Sequence, residues 1–439
     1  MTAAALAPRA LTLADHLRYG ALGLPLAFVA LPLYVILPAH YGSELGVPLA
    51  SLGLVLLGSR LLDALADPLI GLWADARLGQ RGAAWQGIAL AAAVLALGFW
   101  ALFFPQLDST SGRLLWCAVT LTVTCWAYSA CSITHMAWGT RLGGDAVARA
   151  RWVAWREGLG LLGVLVANGL AVSQGPAAMA AALTLTLGLA VWLLRRSPQP
   201  AVLAAPAKAL ASQTWQAWAQ PLRHAEFRRL LSLFLLNGIA NAIPATLVLF
   251  FVRDVVQRPQ WVGACLGAYF LAGAMSIPLW VRMVRWVGPS TAWAMGMLGY
   301  VFTFGGVVLL GEGDVLAYGM VCLASGFMLG ADLTLPGTLL AGVIQRHDEA
   351  QGSLQGPAYG QQASSEGIFT GWWQLATKLN LALAAGLALP ALAWLGYTPG
   401  SRDPQALWHL TLVYGALPCV LKLVAVSAWW RLWARKGLE

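Results

Sequence analysis

The sequence predicts an all-α membrane protein of twelve transmembrane helices in two six-helix halves. Three observations carry that expectation. Of 439 residues, 59% are hydrophobic and only 10% are charged, with mean hydropathy +0.69; a soluble domain carries about 25% charged residues. A spanning helix needs roughly 20 mainly apolar residues, and twelve such stretches recur along the chain. A long polar interruption, RRSPQPAVLAAPAKALASQTWQAWAQPLRHAEFRR, follows the sixth of them.

Taken in order, the first helix starts near residue 17 and runs through LRYGALGLPLAFVALPLY, after what reads as a short cytoplasmic lead-in and not a signal peptide. The second starts near 47 and holds RLLDALADP in an otherwise apolar run. The third and fourth start near 83 and 113, on IALAAAVLALGFW and LLWCAVTLTVTCWAYSACSITHMAWGT. The fifth and sixth, near 155 and 177, follow the basic stretch RARWVAWREG and end at Arg195 and Arg196. After the linker, six more start near 229, 260, 290, 315, 367 and 405. A second polar stretch, residues 345–367, separates the tenth from the eleventh. The expected organisation is a first half over 1–194, a linker over 195–229 and a second half over 230–439.

The net charge is +9, from 27 Lys+Arg against 18 Asp+Glu. In a soluble chain such an excess would raise nucleic acid as a partner. Here the positive-inside rule accounts for it, and no nucleic acid is expected. With both termini cytoplasmic, most basic residues fall on the cytoplasmic side. Arg113, Arg253, Arg258 and Arg402 fall outside, and Arg60, Lys378 and Lys422 fall within helices. The expected location is a bacterial-type inner plasma membrane. The six cysteines lie in apolar stretches with no CxxC pair and no histidine at metal-ligand spacing, so neither disulfides nor zinc are indicated. No HExxH, GxSxG or glycine-rich phosphate loop occurs, which leaves a polytopic enzyme as a remote alternative.

The charges inside the second helix carry the functional reading. On a helix, Arg60, Asp63 and Asp67 lie within about 60° of one another, and Gly71 continues the stripe. A carboxylate in the bilayer is costly and marks an ion or substrate path. One arginine against two aspartates leaves a net negative charge for one monovalent cation or proton to cancel. Pro68 can free a backbone carbonyl as a further oxygen. A structural ion pair explains one aspartate and not the second.

Other polar groups inside helices are few. Lys378 lies mid-helix eleven, suited to an anionic substrate group or to an aspartate across a cavity. Asp332 lies mid-helix ten, a second proton carrier or the partner of Lys378. His135, placed mid-span on helix four, is a proton relay or a hydrogen-bonded packing residue. Arg156 begins helix five as a cavity, gate or anchoring residue. Tryptophan is abundant, 22 in all; many stand at helix ends as interfacial belts, and Trp372 lies beside the polar residues of helix eleven.

Twelve helices in two halves resemble the major facilitator plan. The loop GLWADARLGQR resembles that superfamily's motif between helices two and three. The resemblance implies close helix packing at Gly71, capping of a neighbouring helix by Asp75, and a cytoplasmic gate held by Arg77 and Arg81. R-x-x-D-A-x-x-D-P-x-x-G further resembles the helix-two signature of the glycoside–pentoside–hexuronide:cation symporters, the melibiose-carrier-like branch. LRYGALGLPLAF, RARWVAWREG and EGIFTGWWQLATKLNLAL resemble its helices one, five and eleven. The resemblance implies a coupling-cation site at Asp63 and Asp67, with Ser129 or Ser132 as an added ligand. Arg60, His135, Arg156, Asp332, Trp372 and Lys378 are then substrate-site candidates.

Two departures bear on the cargo. Ala66 stands where melibiose carriers have an asparagine, which tilts the coupling ion from Na+ toward H+. Ser132 aligns with a sugar-binding aspartate, and helix one lacks another acid. The expectation is a monomeric secondary transporter without cofactor, coupled to H+ or Na+. It moves a small polar solute such as a sugar, glycoside or uronate. The alternative is a lysophospholipid-like or amphipathic solute, since relatives with this helix-two signature include lysophospholipid carriers.

Overall fold

The computed structural model describes residues 12–37, 40–41, 45–80, 82–173, 175–200, 219–355, 366–398 and 400–432. They form twelve helical passages, and no strand occurs among the described residues. In the first half these are α1 (13–36), α2 (Leu49–Leu78), α3 (Ala83–Phe103), α4 (Thr110–Arg141), α5 (Ala146–Ser173) and α6 (Gly175–Arg195). In the second they are α7 (Ala225–Phe250, continued by a π-helical Phe251–Val256), α8 (262–287), α9 (289–304), α10 (Val315–Gln355), α11 (Glu366–Trp394) and α12 (404–432). By length and composition, seven helical stretches of the described residues are apolar enough to cross a membrane. One of the seven, Pro259–Leu309, contains both α8 and α9.

Local chemistry sets the ends. Thr12 and Asp15 form a reciprocal capping box at the start of α1. Ser109 accepts from the Gly112 N–H (3.1 Å) to begin α4, and Asp403 accepts from the Ala406 N–H (3.1 Å) to begin α12. α5 begins at Ala146, earlier than the expected residue 155, because Asp145 accepts from the Ala148 N–H at 2.8 Å and starts the helix inside the basic loop. α8 and α9 are one continuous run broken at Gly288, whose φ of 74° and ψ of 165° suit glycine, with Pro289 following.

α10 extends to Gln355, so much of the expected polar loop at 345–367 is helical; residues 356–365 lie outside the described set. The expected linker, 195–229, includes a short helix, Gln220–Arg223, and the first turn of α7; residues 201–218 of it lie outside the described set.

Apolar burial is largely segregated by half. One buried cluster is drawn from α1–α6, including Phe28, Phe99, Trp138 and Leu187. Another is drawn from α7–α12, including Phe251, Tyr300, Tyr318 and Tyr414. A third joins the halves, with Ala150, Ala154 and Leu161 of α5 among residues of α7–α12. Across the halves α11 lies against α2 and α4, and α5 lies against α8 and α10.

Candidate functional site

The site is built on the seam where α11 meets α2 and α4. Four residues of α11, Gly367, Gly371, Gln374 and Lys378, share one face within about 60°. They meet α2 at successive levels. Gly71 and Gly367 face each other so closely that a Cβ on Gly71 would lie 2.2 Å from the Gly367 carbonyl oxygen, and one on Gly367 2.1 Å from that of Gly71. Only glycines permit this approach. Higher up, a Cβ on Gly371 would lie 2.5 Å from the Asp67 carbonyl oxygen. The backbones of two halves therefore touch directly beside the acidic pair.

At the next level Lys378 inserts between the carboxylates. Its Nζ lies 2.6 Å from Asp63 Oδ2 and 2.8 Å from Asp67 Oδ1, and it donates to Ser129 Oγ at 2.9 Å. Ser129 in turn donates to Asp63 Oδ1 at 3.0 Å. Asp67 is 0% exposed and Asp63 7%. Asp67 Oδ2 is buried and has no hydrogen-bond partner among the described residues. Two carboxylates and one ammonium carry a formal charge of −1 when all are ionised, which one monovalent cation or proton cancels. A turn closer to the basic end, Gln374 donates to Ser132 Oγ.

Arg60, the third member of the expected stripe, is exposed on α2 beside Leu61 and Leu62, while Asp63 and Asp67 are buried; the cation set between the two acids is Lys378.

At the basic end of the bundle Asp75 caps α11. It accepts from the Gly367 N–H at 2.6 Å and the Ile368 N–H at 3.0 Å. Arg141, at the last turn of α4, donates through Nε to Glu366 Oε2 at 3.0 Å, and its Nη2 lies 3.9 Å from Asp75 Oδ1. All three side chains are at least nine-tenths buried. Arg77 lies over the Trp73 ring at 5.3 Å, and Arg81 lies outside the described residues. Arg149 donates to Gln345 Oε1 at 2.7 Å, tying α5 to α10 at the same end.

The remaining candidates lie elsewhere. His135 is fully buried; its Nε2 is 2.9 Å from the Tyr19 carbonyl oxygen, and Tyr19 Oη donates to the His135 carbonyl at 3.2 Å. That links α4 to α1 within the first half. Arg156 donates to its neighbour Glu157 at 2.6 Å and 3.0 Å. It helps line a small cavity with Tyr19, Arg149 and Gly337 between α1, α5 and α10. Trp372 is half-buried against the third cluster. Asp332 is paired not with Lys378 but with Lys422 of α12, at 2.8 Å. It also accepts from Asn237 (2.9 Å), Asn241 (2.9 Å) and Trp293 Nε1 (2.8 Å), and Lys422 donates to Asn237 Oδ1 at 2.7 Å. Every oxygen of Asp332 is satisfied inside the second half.

A separate lateral cleft of about 510 Å³ opens between α5 and α8. Trp155, Ile277 and Pro278 give it apolar walls, and Arg151, Arg282 and Arg285 add positive charge. Among the described residues no three His, Cys, Asp or Glu side chains group as they would to hold a metal ion.

The family described as MFS/sugar transport protein matches residues 18–433. The sodium-dependent lysophosphatidylcholine symporter 1 of Homo sapiens is 25% identical over 208 residues, 47% of this chain and 36% of the relative. That of Gallus gallus is 26% identical over 212 residues, 47% and 38%. The sphingosine-1-phosphate transporter MFSD2B of Xenopus tropicalis is 23% identical over 215 residues, 48% and 40%. These alignments thus span well under half the length of each relative. Among solved structures, an outward-facing bacterial homologue of the iron transporter ferroportin superposes with TM-score 0.65 at 15% identity, covering 95% of this chain and 100% of that one. The proton:xylose symporter XylE gives TM-score 0.61 at 14% identity, covering 97% and 95%. At such identities the likeness is one of fold.

Proposed function

The chain belongs to the MFS/sugar transport protein family, a family of transporters rather than enzymes, and on that premise we propose that it is a cation-coupled symporter. The observation that carries this reading is Lys378 of one half set between Asp63 and Asp67 of the other. Binding a cation or proton there removes the net charge of the seam and favours closure of the halves around a midplane site, as alternating access requires. The basic loops face the cytoplasm in this reading, and both termini lie inside. Asp75, Arg141 and Glu366 then form the cytoplasmic gate.

The helix-two signature supports a place near the glycoside–pentoside–hexuronide branch. For the cargo, the cleft between α5 and α8 favours an amphipathic molecule with an anionic or zwitterionic head. Its apolar walls suit an alkyl chain and its arginines suit a phosphate. The named relatives that carry lysophosphatidylcholine and sphingosine-1-phosphate support the same class. A small polar solute is the second reading, favoured by Arg156 beside the inter-half cavity. Na+ is the favoured coupling ion, in keeping with the sodium-dependent relatives.

Uptake into proteoliposomes under imposed Na+ or H+ gradients tests both points, with lysophosphatidylcholine, a sphingoid phosphate, melibiose and glucuronate as cargoes. The coupling reading fails if Asp63→Asn and Asp67→Asn both leave gradient-driven uptake intact. The cargo reading fails if only the sugars are accumulated.

A further inference from the structure

The acidic pair is poorly supplied with neutral oxygens by its own helix. Between Asp63 and Asp67 lie only Ala64, Leu65 and Ala66. α4 adds the hydroxyls of Ser129 and Ser132. Among the described residues, the carboxamide held at this seam belongs to α11: Gln374, half-buried and bonded to Ser132. Its register places it between Gly371, which touches the Asp67 backbone, and Lys378, which touches both acids.

Two polar groups at this level have unused acceptor capacity. Asp67 Oδ2 is fully buried with no partner among the described residues. The Gln374 amide donates its nitrogen to Ser132, and the described residues make no hydrogen bond to its carbonyl oxygen. A carboxylate oxygen and an amide oxygen can both accept a donor or a cation, and neither can satisfy the other. A Na+ ion between them removes that mismatch; a proton on Asp67 Oδ2 would do so only by donating to the amide oxygen, and the two differ in their Na+ dependence.

We propose that Gln374 supplies a side-chain oxygen to a Na+ ion bound by Asp67 and Asp63, so that the cation is held by both halves at once. This rests on the cation-coupled reading and adds a ligand that comes from the second half. Lys378 remains as the fixed counter-charge; the added ion lies on the basic-end side of it, nearer Ser132. The consequence is that cation occupancy strengthens the closure of α11 on α2 that Lys378 already makes.

The test is a Na+ titration of thermal stability on the purified full chain in detergent, with choline holding the ionic strength and Li+ and K+ as comparisons. Wild type is expected to be stabilised by Na+, and Asp63→Asn is expected to abolish the response. Gln374→Met, of similar size without the oxygen, is expected to need about ten-fold more Na+ for the same shift. Gln374→Glu, which keeps an oxygen, is expected to retain the response, and Gln374→Asn, one methylene short, to weaken it. The melting of each variant in choline alone is the baseline against which its Na+ shift is read. If Gln374→Met does not melt cooperatively, the titration of Gln374→Asn decides. An unaltered Na+ titration in Gln374→Met and Gln374→Asn overturns the proposal while leaving the coupling reading intact. A wild type indifferent to Na+ overturns it as well; proton-driven uptake sensitive to Asp63→Asn would then keep the coupling reading alone.

Discussion

The carboxylate of Asp75 sits on the amino end of α11, where it takes the backbone N–H groups of Gly367 and Ile368 at 2.6 Å and 3.0 Å. One residue of the first half thus completes a helix of the second. The first N–H groups of a helix have no partner within it and carry partial positive charge, so a carboxylate there is favoured twice, by hydrogen bonding and by the dipole. Asp75→Ala is expected to destabilise the closed basic end by about 1–3 kcal/mol, the cost of a buried group left unsatisfied. The check is the accessibility of a cysteine introduced at Thr370 to a membrane-impermeant thiol reagent. It should react faster in the variant, and equal rates would refute the gating role.

Lys378 is in ion-pair contact with both Asp63 and Asp67. Replacing it with alanine removes the ammonium set between two buried carboxylates, and breaking a buried pair costs about 3–5 kcal/mol. We expect Lys378→Ala to abolish gradient-driven uptake and to lower the melting temperature. Adding Asp67→Asn should recover much of the stability without the transport. A double variant no more stable than Lys378→Ala would show that the charges act independently.

The Asp332–Lys422 pair makes the opposite prediction for function. Its four donors leave Asp332 no free oxygen, and Lys422 is 0% exposed. Lys422→Met alone should cost about 3–5 kcal/mol. Lys422→Met with Asp332→Asn, which keeps an acceptor for the remaining donors, should recover part of that stability and keep the ion-to-solute ratio unchanged. A change in that stoichiometry would show that Asp332 carries a proton after all.

Contact of α2 with α11 depends on absent side chains. Gly71→Val would set its Cβ 2.2 Å from the Gly367 carbonyl, a distance that forces the helices apart. Uptake is expected to fall at least ten-fold and cation-dependent stabilisation to weaken with it, because α11 then no longer brings Gln374 to the acids. A cation response equal to that of wild type would show that the ion site does not need α11 against α2.

Much of this was legible in the residues. Twelve apolar stretches marked the helices because the bilayer fixes their length, and the acids stood out because water is scarce around them. The capping role of Asp75 followed from the resemblance of its loop, and its partner at Gly367 is 292 residues away. Helix periodicity set Arg60 on the stripe of the acids but could not tell that it is exposed while they are buried; tertiary packing decides that.

Long-range partners were the least visible. Asp332 and Lys422 are 90 residues apart on helices with no motif between them. The rarity of a lysine inside helix twelve was a signal, but it named no partner. Arg141 read as one more basic residue at a helix end, since nothing local distinguishes a solvated arginine from one whose side chain is 0% exposed.

The ammonium that balances the acids of α2 is carried by a helix of the other half. Parting the halves at that level without a replacement charge would break both ion pairs and leave two neighbouring carboxylates on one wall with a lone ammonium on the other. In a symporter of the kind proposed, that loss would hold the empty protein back from idle cycling. An ion gradient across the membrane would not run down through unproductive turnover, and the tightness of the transporter would rest on one lysine.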